Sequence, residues 1–224
     1  MSIRRRTLLE RRWPETSDFV AIARTWKNDA TTILLSYVWK AYDLLLNEVL
    51  SQIDPKLIDD QLERSITQLL EPRIRKSMSG FEPFEVQHEV YEFETRQLPQ
   101  AQPPQYDIAF VLYENPRIMW PIEAKVLRSD RSVAPYINDL KNEFLSCRYA
   151  PFSSEGAMLA YLFSGAPNTT FQHIEAKASC KLQHHPVFPE RNHKYSDHIR
   201  LIPANKKYPS QFRCHHLIFK IIRV

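Results

Sequence analysis

The chain has 224 residues, 43% hydrophobic and 25% charged, with 30 Lys and Arg against 26 Asp and Glu for a net charge of +4. That suits one soluble domain with a well-buried core, with or without an extension, and the mild positive charge is compatible with a polyanionic partner without arguing for one. Three scattered glycines (Gly80, Gly156, Gly165) exclude a Gly-rich phosphate loop, and three widely spaced cysteines (Cys147, Cys180, Cys214) suit a reducing cytoplasm better than a disulfide framework.

In chain order, the first feature is a basic run, Arg4, Arg5, Arg6, Arg11 and Arg12. Glu10 follows Leu8-Leu9 directly, so no signal-type apolar region develops. The longest apolar stretch, residues 33–39, is broken by Ser36 and is too short to span a bilayer, so the expectation is a cytoplasmic protein without membrane contact. The basic run is read as a solvated tail, with nonspecific phosphate contact as the functional alternative.

Over residues 17–53 apolar side chains recur at three- and four-residue steps, predicting two amphipathic helices that break near Asn28-Asp29. Phe19, Trp26, Tyr37 and Trp39 form an aromatic stripe, most simply helix packing. Asp54-Pro55 looks like an N-cap followed by Pro at the first helical position; Ile58, Leu62, Ile66 and Leu69 carry that helix, and Pro72 should end it. Alternation then predicts strands over 84–95, 106–113 and 118–127, with a Pro/Gln-rich loop at 98–105 and a hairpin turn at Glu114-Asn115-Pro116-Arg117. A helix over 136–149 and strands over 157–163 and 214–224 follow, while 166–212 shows no clear period.

The chemistry concentrates on Asp107 and on Glu123-Ala124-Lys125. On a strand Glu123 and Lys125 share one face, with Ile122, Ala124 and Val126 on the other. A hairpin turning at Asn115-Pro116 sets Asp107 beside Glu123. Two carboxylates held so close repel each other unless a cation lies between them, and hard oxygen ligands suit Mg²⁺ or Mn²⁺. Lys125 could then orient or help deprotonate a water, or stabilise charge on a reacting phosphate. The tripeptide alone is common: it recurs at Glu175-Ala176-Lys177, which lacks an upstream Asp on a paired strand and is set aside.

In context, Pro104-Gln105-Tyr106-Asp107 followed by Trp120-Pro121-Ile122-Glu123-Ala124-Lys125 resembles the motif of the PD-(D/E)XK nuclease superfamily, over about residues 55–165. The resemblance implies an α/β fold with a restriction-endonuclease-like αβββαβ core and mixed central sheet in residues 55–224, and a helical N-terminal extension in 1–54. It implies Mg²⁺-dependent (or Mn²⁺-dependent) hydrolysis of phosphodiester bonds, the metal held by Asp107, Glu123 and the Ala124 carbonyl, with Lys125 assisting. It also implies a carboxylate from the first core helix; Glu63 is the choice, against a solvated helix glutamate, with Glu71, Glu89 and Glu92 in reserve. DNA is favoured over RNA by superfamily habit. The stretches Tyr136 to Phe144, Arg148-Tyr149-Ala150 and Gly156 to Tyr161 are similar to small nucleases of bacterial defence loci, implying partner proteins of such a system or a homo-oligomer. The alternative is a nuclease-fold nucleic-acid-binding or assembly subunit without turnover, which has no reason to keep so many like charges together.

The tail contributes Cys180, His184, His185, His193, His198, Cys214, His215 and His216. Their spacing matches neither paired Cys-x-x-Cys knuckles nor a zinc finger, so zinc is disfavoured; His215 and His216 are read as packed strand residues, with phosphate contact as the alternative.

Overall fold

A computed structural model describes residues 30–48, 53–80, 82–97 and 102–221. The basic N-terminal run, Phe19, Trp26 and the helix expected before Asn28 lie outside these residues. Helix α1 (Thr31–Glu48) buries Leu34, Leu35, Val38, Trp39 and Leu45, and α2 (Asp59–Ser77) buries Leu62, Ile66, Leu70 and Ile74. Asp59 and Asp60 in the first turn of α2, and Arg75 and Lys76 in its last, complement the helix dipole.

Seven strands form one mixed sheet: β1 (Phe84–Tyr91), β2 (Gln105–Leu112), β3 (Met119–Leu127), β4 (Glu155–Leu162), β5 (Gln183–His184), β6 (His193–Ile199) and β7 (Gln211–Lys220). Their spatial order is β1-β2-β3-β4-β7-β6-β5. The central β3, β4 and β7 run parallel, and the pairs on either flank are antiparallel. Between β3 and β4, α3 (Ala134–Asp139) passes into a π-helical turn, Leu140–Phe144; α4 (Pro167–Ala178) follows β4.

Both faces of the sheet are covered. Ile108, Phe110, Ile122, Ala124, Leu159 and Leu217 pack in one core with α1 and α2. Ala109, Val111, Met158, Ala160 and Ile218 pack in the other with Tyr136, Ile137 and Phe144, and with Phe171 and Ile174 of α4. Every residue of β4 after Glu155 is accordingly buried, as expected of a strand sandwiched by helices. Because α1 shares its core with the sheet, it is packed into the same body as the strands.

Several expectations are corrected. Pro72 does not end α2, which continues to Ser77. An interior proline costs about 3 kcal/mol, but Leu62, Ile66, Leu70 and Ile74 are fully buried, each contributing roughly 1.5–3 kcal/mol. Arg73 also donates to the Leu69 carbonyl (2.6 Å) in the turn that the proline disturbs. Asp54 caps a turn, accepting from the Lys56 N–H (3.0 Å), and the helix begins only at Asp59. The first strand stops at Tyr91, where Glu92 turns inward and its N–H goes to the Pro104 carbonyl (2.7 Å). The helix expected over 136–149 ends at Phe144 after its π turn, and the patternless stretch 166–212 holds α4, β5 and β6. No helix among the described residues is long and apolar enough to cross a membrane.

Candidate active site

Strands β2 and β3 pair from Val111 opposite Met119 to Ile108 opposite Ile122, and there the ladder stops. One further step would set Asp107 opposite Glu123. On its other side β2 also lapses at Asp107: the β1–β2 register passes from His88/Ile108 to Val90/Tyr106, omitting Glu89/Asp107, and Glu89 has φ 55°. Positive φ at a non-glycine residue is backbone strain of the kind that gathers at functional sites.

The opening leaves two β3 N–H groups without strand partners, and carboxylates take them. Asp107 Oδ2 accepts from the Ala124 N–H (2.7 Å), and Glu63 Oε2, reaching in from α2, accepts from the Val126 N–H (3.1 Å). The N–H and C=O of a strand residue point the same way, so the Ala124 carbonyl faces the same opening.

Lys125 sits at the centre. Its ammonium donates to Glu63 Oε1 (2.9 Å) and Glu123 Oε1 (3.0 Å), and lies 3.1 Å from Asp139 Oδ2 at the end of α3. The structure therefore brings together Glu63, Asp107, Glu123, Ala124 and Lys125, and adds Asp139. Glu123 is 7% exposed, and its Oε2 is buried without a hydrogen-bond partner.

One ammonium faces more negative charge than it can balance. Burial, opposed by Lys125, pushes the Glu63 carboxyl up to about 7. Burial, reinforced by the Asp107 charge, raises Glu123 well above the carboxylate range, and burial raises Asp107 as well. Against its own desolvation, the surrounding carboxylates hold Lys125 firmly protonated. A set of buried carboxylates whose hold on protons is strengthened, with one oxygen unpartnered, fits a hard divalent cation, which would supply the missing positive charge.

The side chains of the reserve candidates do not join the cluster. Glu71 pairs with Arg75, Glu89 with Arg64, and Glu92 is a buried carboxylate that accepts from the Tyr106 hydroxyl (2.7 Å). The second Glu-Ala-Lys lies on α4, where Glu175 accepts from the Leu182 N–H (3.0 Å). His215 and His216 are 2% and 0% exposed, which rules out the surface phosphate contact considered for them. His216 bonds to Tyr136 and Ser196 (both 2.7 Å) in the core of the sheet.

Sequence reasoning missed Asp139. Its one signal was an acid flanking the buried Tyr136, Ile137 and Leu140 on the helix directly after the Glu-x-Lys strand. Comparison with known proteins returns no matching family model, curated protein or solved structure.

Proposed function

We propose that this protein is a metal-dependent nuclease of the PD-(D/E)XK type, hydrolysing phosphodiester bonds of nucleic acid, more readily DNA. The observation that carries the reading is the carboxylate cluster around Lys125, with Glu123 Oε2 unpartnered, at the place where β2 parts from β3. The order α2-β1-β2-β3-α3-β4 supports it, being the αβββαβ order that the motif implies.

In this reading Asp107, Glu123 and the Ala124 carbonyl hold Mg²⁺ or Mn²⁺, and Glu63 completes the shell from the helix side. The bound cation supplies water activation and a clamp on phosphate oxygens. Asp107 and Glu123 keep their places without it: Asp107 is tied to the Ala124 N–H and Glu123 to Lys125. Lys125, protonated in this cluster, acts by donating hydrogen bonds and balancing charge on the phosphate, and not as the base. Glu63, accepting from the Val126 N–H and the Lys125 ammonium, fixes both from the helix side. Asp139 positions the Lys125 ammonium from the α3 side.

The test is cleavage of plasmid DNA, linear DNA and structured RNA with Mg²⁺, Mn²⁺ or EDTA. Cleavage with either cation, abolished by EDTA and by Asp107→Asn, is the expected result. Absence of cation-dependent cleavage on every substrate would overturn the reading and leave a binding or assembly subunit.

A further inference from the structure

A second cluster lies outside this site. His185 follows β5, His193 opens β6 and His215 lies in β7. The register brings them together: Tyr195 pairs with His215, and the His185 N–H donates to the His193 carbonyl (3.3 Å). All three side chains are buried, and one ring nitrogen from each lies within 4.8 Å of the other two. We propose that His185, His193 and His215 form a metal site for a borderline transition-metal ion, of which Zn²⁺ is the type, fastening the β5–β6 hairpin to the centre of the sheet.

Geometry and donor chemistry both point there. His193 Nε2 and His215 Nδ1 are 3.2 Å apart, close to the roughly 3.3 Å between two nitrogens on one tetrahedral zinc with bonds of about 2.0–2.1 Å. His215 Nε2, buried and without a hydrogen-bond partner, faces Glu155 Oε2 at 3.7 Å. The contact is too long for a hydrogen bond, but it sets a carboxylate on the side of the ring where one would fix the tautomer of a metal-bound histidine. Glu155 is itself anchored by the Thr31 hydroxyl (2.6 Å). Burial keeps the three imidazoles neutral, with His185 held down to about 4, so their lone pairs are available at neutral pH.

The competing description is a metal-free relay, Trp39 N–H to His193 and His193 N–H to His215. It leaves the His185 imidazole with ring contacts to His193 (4.5 Å between centroids), Phe188 (5.0 Å) and His215 (5.5 Å), and with a long bond from the Val187 N–H (3.3 Å). Metal binding through Nε2 moves a proton to Nδ1 of His193. The 3.4 Å contact from the Trp39 indole must then lengthen, so Trp39 reports on the site.

The experiment uses the full chain, stripped with a chelator and titrated with Co²⁺ and then Zn²⁺. One equivalent of Co²⁺ should give the strong visible absorption of a four-coordinate site, made of the three imidazoles and one water, bleached by Zn²⁺. At a hundredfold excess over Kd, Zn²⁺ should raise the melting temperature by roughly 5 °C or more. The band should persist in Asp107→Asn, which separates this site from the carboxylate cluster, and disappear in His185→Gln, with its melting temperature in EDTA close to wild type. No visible band in the wild type, or an undiminished one in His185→Gln, would overturn the proposal. The wild-type spectrum decides even where a variant misfolds.

Discussion

Lys125→Met removes the ammonium at the centre of the carboxylate cluster while keeping most of its bulk. The ammonium lies 2.9, 3.0 and 3.1 Å from Glu63, Glu123 and Asp139, with 17% of the side chain exposed. Removing one partner from a buried ion pair costs about 3–5 kcal/mol; here the carboxylates can take up protons, so the lower end applies, about 3 kcal/mol at pH 8. For a chain of this size that is a fall of roughly 6–12 °C in melting temperature. The pH dependence has a definite sign. Folded-state carboxyl groups that are raised, Glu63 to about 7 in the wild type, hold more protons than the unfolded chain, so stability falls as pH rises through that range. Without Lys125 the rise is larger, so the deficit should be widest at pH 8 and narrow toward pH 5. Cleavage should fall by about two to three orders of magnitude. Melting curves from pH 5 to 8, beside single-turnover cleavage, measure both effects. Wild-type cleavage by Lys125→Met would refute its role at the reacting phosphate, and an unchanged melting temperature at pH 8 would refute the charge balance.

Asp107→Asn keeps an acceptor for the Ala124 N–H, so the metal-free protein should melt at or slightly above the wild-type temperature while Mn²⁺-induced stabilisation and cleavage are lost; equal Mn²⁺ shifts in both proteins would exclude Asp107 as a ligand. In the wild type, Mn²⁺ stabilisation measured by thermal melting should grow from pH 6 to pH 8, because Glu63 and Glu123 must release protons to bind; a pH-independent shift would contradict their raised affinity for protons. Glu175→Ala with Lys177→Ala should cost about 1 kcal/mol through the lost bond to Leu182, yet leave cleavage rates unaltered; loss of cleavage here would place the motif on the wrong segment.

The parts of this molecule that could be read from sequence are those with local causes. Alternation around Ile108 and Phe110 and around Ile122, Ala124 and Val126 marks β2 and β3, and Glu123 and Lys125 share a face because strand geometry requires it. Helix α1 and the positions Leu62 and Ile66 of α2 were legible from their spacing, whereas Ile58 is exposed and the buried Leu70 and Ile74 were not picked out. Nonlocal causes were not. Pro72 is tolerated because the rest of α2 is buried against the sheet, which no local rule includes. Strand β6 (His193–Ile199) shows no apolar alternation because its buried residues are the polar His193 and Ser196, two positions that are not in step with a period of two. Asp139 enters the site only because α3 packs beside β3, and His185, His193 and His215 meet only through strand pairing, whereas zinc-motif spacing describes ligands close in sequence.

A crystal structure of the Mn²⁺-soaked protein, with anomalous diffraction from the metal, tests the carboxylate cluster as a metal site most directly. An anomalous peak is expected in the opening between β2 and β3, bonded to Asp107, Glu123 and the Ala124 carbonyl, with its ligands at octahedral spacing. A fully occupied crystal with no peak there, or with Mn²⁺ only at the histidine cluster, would contradict that assignment.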